Sequence, residues 1–409
     1  MSSPDSVTLD DVKAARAAIK DLVVFTPCQP SVKLSALTHT KLFLKMENMQ
    51  RTGAYKDRGA MNAVVSLDDK ARQAGVIAAS AGNHAQGLAY AAQCNNVKCT
   101  IVMPETAPIA KVAGTEKYGA TVVLHGSGFD DALARANEIQ KETGATFVHA
   151  FDHPKVIAGQ GVVALELLEQ NPFLEVFVVP IGGGGLIAGM GVVLKSINPS
   201  LRIVGVQSEK VPSMKVSIEK GEITTVPGAT IADGIAVARP GSYTFPLIQK
   251  YVDEIVTVSE DEIAHAVLLL AESEKTIVEG SGGAGLAAVV NGKIKGIEGK
   301  QVCVVLTGGN IDTSFLAKLL AQGMAKDGRL AKFSVIVPDR AGSFVDLSQI
   351  AAEHKANVID IHQSRTFTSA AHRDKEIELL VEVRGPEVAA KMLEAIKAKG
   401  YEVTQHAAA

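Results

Sequence analysis

The stretch Arg51-Thr52-Gly53-Ala54-Tyr55-Lys56-Asp57-Arg58-Gly59-Ala60 sets one lysine between two glycines and two arginines. Like-charge repulsion from Arg51 and Arg58 would make an ammonium at Lys56 easier to deprotonate. Its free amine could then add to an aldehyde and form an imine. Seen alone, Lys56 also fits a solvated surface lysine, so its meaning depends on what the rest of the chain places beside it. Gly182-Gly183-Gly184-Gly185-Leu186 follows an apolar run and opens a helical one. Backbone amides at such a helix start, unobstructed by side chains, form an anion site suited to phosphate. Gly183, Gly185 and Ala188 also satisfy a loose dinucleotide fingerprint, with Glu209 where a ribose-binding acid would stand, so an NAD-dependent oxidoreductase is the rival reading.

Two further turns follow strand-like runs. In Ser80-Ala81-Gly82-Asn83-His84-Ala85-Gln86-Gly87 the amides around Gly82 could hold a carboxylate, and Asn83 offers both a donor and an acceptor. His84 reads better as a packed or capping histidine than as a base. In Val305-Leu306-Thr307-Gly308-Gly309-Asn310 the Thr307 hydroxyl would face the same crevice.

The elements that must position these residues are legible as alternating short apolar runs and helical periods. Residues 9–20 predict an amphipathic helix, and 23–27 and 42–45 short strands. Strands are expected at 76–79, 99–103, 121–124, 176–179, 202–206, 254–258 and 302–306, with helices from about 83, near 112, over 157–168, 186–195 and 260–272. Continuous apolarity in these strands predicts parallel sheets covered by helices on both faces, an α/β class. A polar, glycine-containing break at 323–329 separates a tail whose order is strand 333–337, helix 345–354, strands 357–363 and 376–383, helix 386–399 and strand 401–404, the ferredoxin-like βαββαβ plan. Ala407-Ala408-Ala409 reads as a frayed tail or an expression remnant.

The chain has 409 residues, 47% hydrophobic and 21% charged, with 41 Lys+Arg against 44 Asp+Glu and a net charge of -3. Two or three domains follow from that length, and the balance excludes the basic patches of nucleic-acid binders. No apolar run reaches the roughly 20 residues that span a bilayer. Cys28, Cys94, Cys99 and Cys303 are scattered and read as small core hydrophobes in a reducing compartment. The start of the chain lacks the basic and apolar regions of an export signal, so a cytoplasmic location is expected.

Together, Lys45-Met46-Glu47-Asn48-Met49-Gln50 leading into Thr52–Ala60, the Ser80–Gly87 turn and the Gly182–Gly185 run resemble the fold-type II pyridoxal-phosphate enzymes, over about residues 20 to 320, and among them the threonine ammonia-lyases (threonine dehydratases). The resemblance implies two open twisted sheets covered by helices, the tryptophan synthase β-like architecture. A large domain of 1–52 and 153–322 would enclose a small catalytic subdomain of 53–152, with a linker at 323–330 and a regulatory domain at 331–409. It also implies that pyridoxal 5'-phosphate is carried by Lys56 as a Schiff base. Asn83 would bond the ring hydroxyl, Gly182, Gly183, Gly184, Gly185 and Leu186 hold the phosphate, and Thr307 face the pyridine nitrogen. Gly234 and Ser80 would flank the ring, and Ser80, Ala81, Gly82, Asn83 and His84 would form the substrate-binding turn. A neutral hydroxyl at Thr307 cannot keep the ring nitrogen protonated, which makes a moderate electron sink suited to β-elimination. The implied reaction converts L-threonine to 2-oxobutanoate and ammonia, and L-serine to pyruvate. Other β-hydroxy amino acids such as hydroxyaspartate, or racemisation of serine, are the alternatives.

The chain departs from the family at Ala54-Tyr55, where Ser-Phe usually precedes the lysine. The related racemases carry a second serine at the place of Ala81, and its absence favours one-sided elimination. They also bind a divalent metal through an acid matching Glu209 and a second acid six residues on, where this chain has Lys215, and a lysine there argues against a divalent metal at that place, its ammonium being able to occupy the space. In the tail, Pro338-Asp339-Arg340-Ala341-Gly342-Ser343-Phe344 resembles the ACT regulatory domains, with Asp339 and Gly342 at the effector turn. The expected partners are an amino-acid substrate, an amino acid or nucleotide as effector, and further copies of the chain in a homodimer or homotetramer.

Overall fold

Short apolar runs bounded by glycine, proline and polar turns become strands throughout residues 7–364 and 374–406, the part of the chain described by the computed structural model. In the first unit, Met1–Asp312, they are β1 (Cys28–Pro30), β2 (Lys41–Lys45), β3 (Val76–Ala79), β4 (Cys99–Met103), β5 (Thr121–Leu124), β6 (Thr146–Phe147), β7 (Val176–Pro180), β8 (Arg202–Ser208), β9 (Glu254–Val258) and β10 (Gln301–Val305). They build two sheets. One has the order β1-β2-β10-β7-β8-β9, parallel except for the β1 edge, and the other has the order β5-β4-β3-β6, parallel throughout. Every residue of β3 and of β7 is buried, as strands covered on both faces require.

In a parallel sheet all carboxyl ends lie on one edge. The ends of the neighbouring strands β2, β10 and β7 therefore open side by side, which is where α/β sheets bind ligands. The end of β2 leads to Lys56, that of β10 to Thr307 and that of β7 to the four glycines.

Glycines let three helices touch backbone to backbone behind this edge. A Cβ added at Gly159, on the Pro154–Gln170 helix, would lie 2.6 Å from the Arg58 carbonyl of the Lys56–Val65 helix. One added at Gly189, on the Gly185–Ile197 helix, would lie 2.3 Å from the Ile157 carbonyl. The lysine-bearing helix and the glycine-loop helix are thus both fixed against a third. Arg58, fully buried, strengthens that seat by donating to Glu47 through Nε at 2.8 Å and to Glu166 through Nη1 at 2.6 Å, while Lys45 Nζ reaches Glu166 at 2.7 Å.

The strand expected at 23–27 does not form. The Gln50 side chain accepts from Val24 N at 3.0 Å and donates to Val24 O at 2.8 Å, so an amide side chain replaces the ladder and pairing begins at Cys28. The cysteines are also less uniform than core hydrophobes: Cys99 and Cys303 are buried, Cys28 is half-buried and Cys94 is exposed.

The second unit, Thr313–Ala409, begins with the helix Thr313–Lys326, so part of the stretch expected as a linker at 323–330 is helical. Its strands are β11 (Leu330–Pro338), β12 (Asn357–Ser364), β13 (Asp374–Glu382) and β14 (Glu402–His406), in the antiparallel order β12-β13-β11-β14. β11 and β13 bury alternate residues, among them Phe333, Val335, Ile377 and Leu379, in one core with Leu347 and Ile350 of the Ser343–Glu353 helix and Met392 and Ile396 of the Pro386–Ala398 helix. This is the expected βαββαβ plan. Gly342 takes φ +94° at the start of the first of these helices, and Asp339 pairs with Lys375 at 3.4 Å. Ala407–Ala409 lie outside the described residues. No described helix is long and apolar enough to cross a membrane.

Candidate active site

The loop before Lys56 is held to the turn after β10. Tyr55 N donates to Thr307 O at 3.1 Å, Gly309 N to Gly53 O at 2.8 Å, and Ala54 bridges Gly308. Gly53 makes this approach possible with φ +83° and no side chain, since a Cβ there would lie 2.4 Å from Asn310 Oδ1. Thr52 N donates to Asp57 Oδ2 at 3.0 Å, which closes the turn from within. Lys56 therefore enters its helix from a fixed direction. Its half-buried Nζ donates to the Ala150 carbonyl at 2.7 Å and lies 5.2 Å from the centre of the Tyr55 ring.

Burial lowers the Lys56 pKa to about 8, with the Glu279 carboxylate pulling the other way. The expected cause was repulsion from Arg51 and Arg58, and the structure corrects it. Arg58 is neutralised by Glu47 and Glu166, while Arg51 is exposed. Desolvation alone disfavours the ammonium.

The four glycines lie where they were expected, after β7. Gly184 takes φ +95° and no side chain caps the Gly185–Ile197 helix, so the first amides of that helix face the crevice beyond β7. A Cβ on Gly183 would sit 2.3 Å from the Phe151 ring, and one on Gly182 would sit 3.1 Å from the Ile235 Cα beside Gly234. Leu186 is buried in the first turn of the helix.

Ser80, Ala81 and Gly82 are half-buried at the end of β3, and Gly82 faces open space. Asn83 starts the following helix. Its Nδ2 donates to Glu279 Oε1 at 2.7 Å, and its Oδ1 accepts from Asn310 Nδ2 at 2.9 Å. His84 is packed away, which fits the packed histidine read from the residues but takes its side chain out of the substrate-binding turn that the resemblance implied: its Nε2 meets Val148 O at 2.8 Å, and burial pushes its pKa down to about 3. Thr307 is 3% exposed and its Oγ1 has no hydrogen-bond partner among the described residues. A buried hydroxyl left unpaired is costly, so this one calls for a polar group from outside the chain.

A half-buried amine of lowered pKa, an uncapped glycine helix start, an unpaired buried hydroxyl and an oriented amide match the parts of an aldehyde cofactor bearing a phosphate and a ring nitrogen. The family model for pyridoxal-phosphate dependent enzymes matches residues 19–308. The chain belongs to the pyridoxal-phosphate dependent enzymes. An L-threonine ammonia-lyase of Thermotoga maritima is 46% identical over 398 residues, 97% of this chain and 99% of that protein. Among solved structures, maize serine racemase is 35% identical with a TM-score of 0.74, covering 76% of this chain and 96% of its own. The processed form of threonine deaminase isoform 2 from Solanum lycopersicum is 34% identical with a TM-score of 0.73, covering 78% and 94%.

In this pyridoxal-phosphate dependent enzyme the cradle includes residues that the sequence reading passed over. Glu279 is buried at the start of the Gly280–Val290 helix, accepts from Ser281 Oγ at 2.6 Å as well as from Asn83, and is pushed up to about 7 by burial, with Asp233 adding to the effect. The signal was available, because Glu279 is an acid opening the glycine-rich, uncharged run Gly280-Ser281-Gly282-Gly283. Phe151 and Asn310 were missed because each matters only through contacts distant in sequence. Glu209, which kept the NAD reading alive, is exposed at the end of β8. Among the described residues no His, Cys, Asp and Glu cluster could hold a metal ion.

Proposed function

We propose that this chain deaminates L-threonine to 2-oxobutanoate and ammonia, the water lost in β-elimination being returned when the resulting imine hydrolyses, and acts likewise on L-serine to give pyruvate. The observation that carries this reading is the amine of Lys56, half-buried, lowered to about 8 and held by Ala150 at the carboxyl edge of the large sheet. Close similarity to L-threonine ammonia-lyases over nearly the whole chain supports the substrate.

Bound there, pyridoxal phosphate supplies an electron sink for negative charge at the substrate α-carbon. The chain's own residues do the rest. Lys56 would hold the cofactor through its amine, and as a free amine it would be the base that takes the α-proton; its lowered pKa leaves a useful free-base fraction near neutrality. Amides of Gly182–Leu186 would hold the phosphate, Asn83 the ring hydroxyl and Thr307 Oγ1 the ring nitrogen, which the uncapped helix start and the unpaired Thr307 hydroxyl support. Gly234 and Ser80 would flank the ring faces, and the Ser80–His84 turn, in which Ser80 N already donates to Val102 O and Gly82 N to Ser80 Oγ, would meet the substrate carboxylate with its remaining amides. Ala81 has no hydroxyl to return a proton from the opposite face, which favours elimination over racemisation.

The deciding experiment compares 2-oxo acid release from L-threonine, L-serine and hydroxyaspartate, with chiral analysis of the remaining amino acid. Preference for threonine without D-isomer formation is expected. Preference for hydroxyaspartate, or rapid appearance of D-serine, would overturn it.

We read the 313–409 unit as an ACT-like regulatory module that binds an amino acid or nucleotide near Asp339 and Gly342. Its strand order and the left-handed Gly342 at the first helix start support this. A homodimer or homotetramer in the cytoplasm completes the proposal, and light scattering tests the assembly.

A further inference from the structure

Glu279 takes no part in the chemistry above, yet it is only 5% exposed and stands among the residues of the cradle. Its backbone N donates to Gly308 O at 3.0 Å, next to Thr307. A Cβ on Gly308 would lie 2.6 Å from Glu279 Oε1, and one on Gly234 would lie 3.1 Å from it. Two glycines thus make room for this carboxylate to reach Asn83.

An asparagine amide is nearly symmetric in shape, so only its partners decide which end donates. Here both partners are committed. Ionised Glu279 can only accept, and it accepts from Asn83 Nδ2 at 2.7 Å. Asn310 Nδ2 donates to Asn83 Oδ1 at 2.9 Å and is itself oriented by donating to Thr52 O. A flipped Asn83 would set oxygen against carboxylate and nitrogen against nitrogen. Ser281 Oγ, 2.6 Å from the same Oε1, steadies the carboxylate.

We propose that Glu279 is a positioning residue for the reaction: by accepting from Asn83 it fixes which end of that amide donates, and so secures the second N–H that Asn83 offers the cofactor's ring hydroxyl. The inference rests on the cofactor being carried at Lys56. Lys56, Tyr55, Asp233 and Lys111 are the titratable groups whose charges act with Glu279 in this space. Burial pushes the Glu279 pKa up to about 7, so acidification gives this carboxyl a proton to donate and relaxes the constraint on Asn83.

The test uses the full chain stripped of cofactor and reloaded. Two quantities are read: the Kd for pyridoxal phosphate and the pH midpoint of the bound cofactor's absorbance change. Glu279→Gln can donate as well as accept. It should weaken binding about tenfold, the worth of one charged hydrogen bond, and move the midpoint. In an Asn83→Ala background the same substitution should change the Kd less than about twofold, because its effect passes through Asn83. An unchanged Kd and midpoint, or the full tenfold loss persisting without Asn83, would overturn the proposal. If Glu279→Gln does not fold by circular dichroism, Asn310→Ala removes the opposing donor and must shift the midpoint; no shift there overturns it equally. A wild-type chain that takes up no pyridoxal phosphate would instead sink the functional reading.

Discussion

An amine that must add to an aldehyde is useful only as the free base. At its ordinary pKa of about 10.5, Lys56 would hold roughly 0.03% of its amine free at pH 7; at about 8 the fraction is roughly 10%. Uptake of pyridoxal phosphate by the cofactor-free chain should therefore accelerate about tenfold per pH unit below about pH 8 and level off above it, as stopped-flow absorbance would show. A plateau reached only above about pH 10 would mean that burial does not tune this lysine. The same burial links to stability. The folded pKa lies below the unfolded one, so between about 8 and 10.5 the unfolded chain binds the extra proton, and the cofactor-free protein gains stability as pH rises through that window. Gly183→Ala tests the other side of the cradle. Its Cβ would stand 2.3 Å from the Phe151 ring, so Phe151 or the loop must move. Cofactor affinity should fall at least about fivefold, on the scale of overpacking costs of roughly 1–3 kcal/mol, and an unchanged Kd would show that the loop does not hold the phosphate tightly.

At the scale of elements, Lys56 is only as well placed as the helix it begins, and that helix is seated by Arg58 between Glu47 and Glu166. Burial works against ionising Glu47, yet Arg58 holds its pKa below the ordinary value. Arg58→Met leaves two carboxylates buried, Glu166 still paired with Lys45 but Glu47 left with only the neutral donors Thr26 and Gln50 hydrogen-bonded to it among the described residues. It should cost about 3–5 kcal/mol in denaturant unfolding, the loss expected when one partner of a buried ion pair is removed; a cost under about 1 kcal/mol would show that the seat relies on the glycine contacts instead. This network also shows where sequence reading stops. The Lys56 motif, the four-glycine loop, the Ser80–His84 turn and Thr307 were legible because each is a local pattern following an apolar strand. Arg58 was misjudged, since nothing local shows that Glu166, 108 positions away, will neutralise it. Residues 23–27 were misjudged likewise, because a strand-like run gains a ladder only if a neighbour offers one, and Gln50 supplied the bonds first.

At the scale of the whole molecule, the chain divides at Asp312, with a separate core in each unit. The tail plan was readable because antiparallel strands with one wet face alternate visibly, whereas its boundary was not, because the helix Thr313–Lys326 continues through Gly323. If the second unit is regulatory, ending the chain after Asp312 should leave threonine turnover within about threefold and abolish any response to added amino acids or nucleotides, a coupling of typically 1–3 kcal/mol; a response surviving the deletion would place the effector site in the first unit. The account as a whole depends on one covalent attachment. Reducing the holoenzyme with borohydride and mapping its peptides should find the pyridoxyl group on Lys56 and nowhere else, and a label on another lysine, or none, would contradict it.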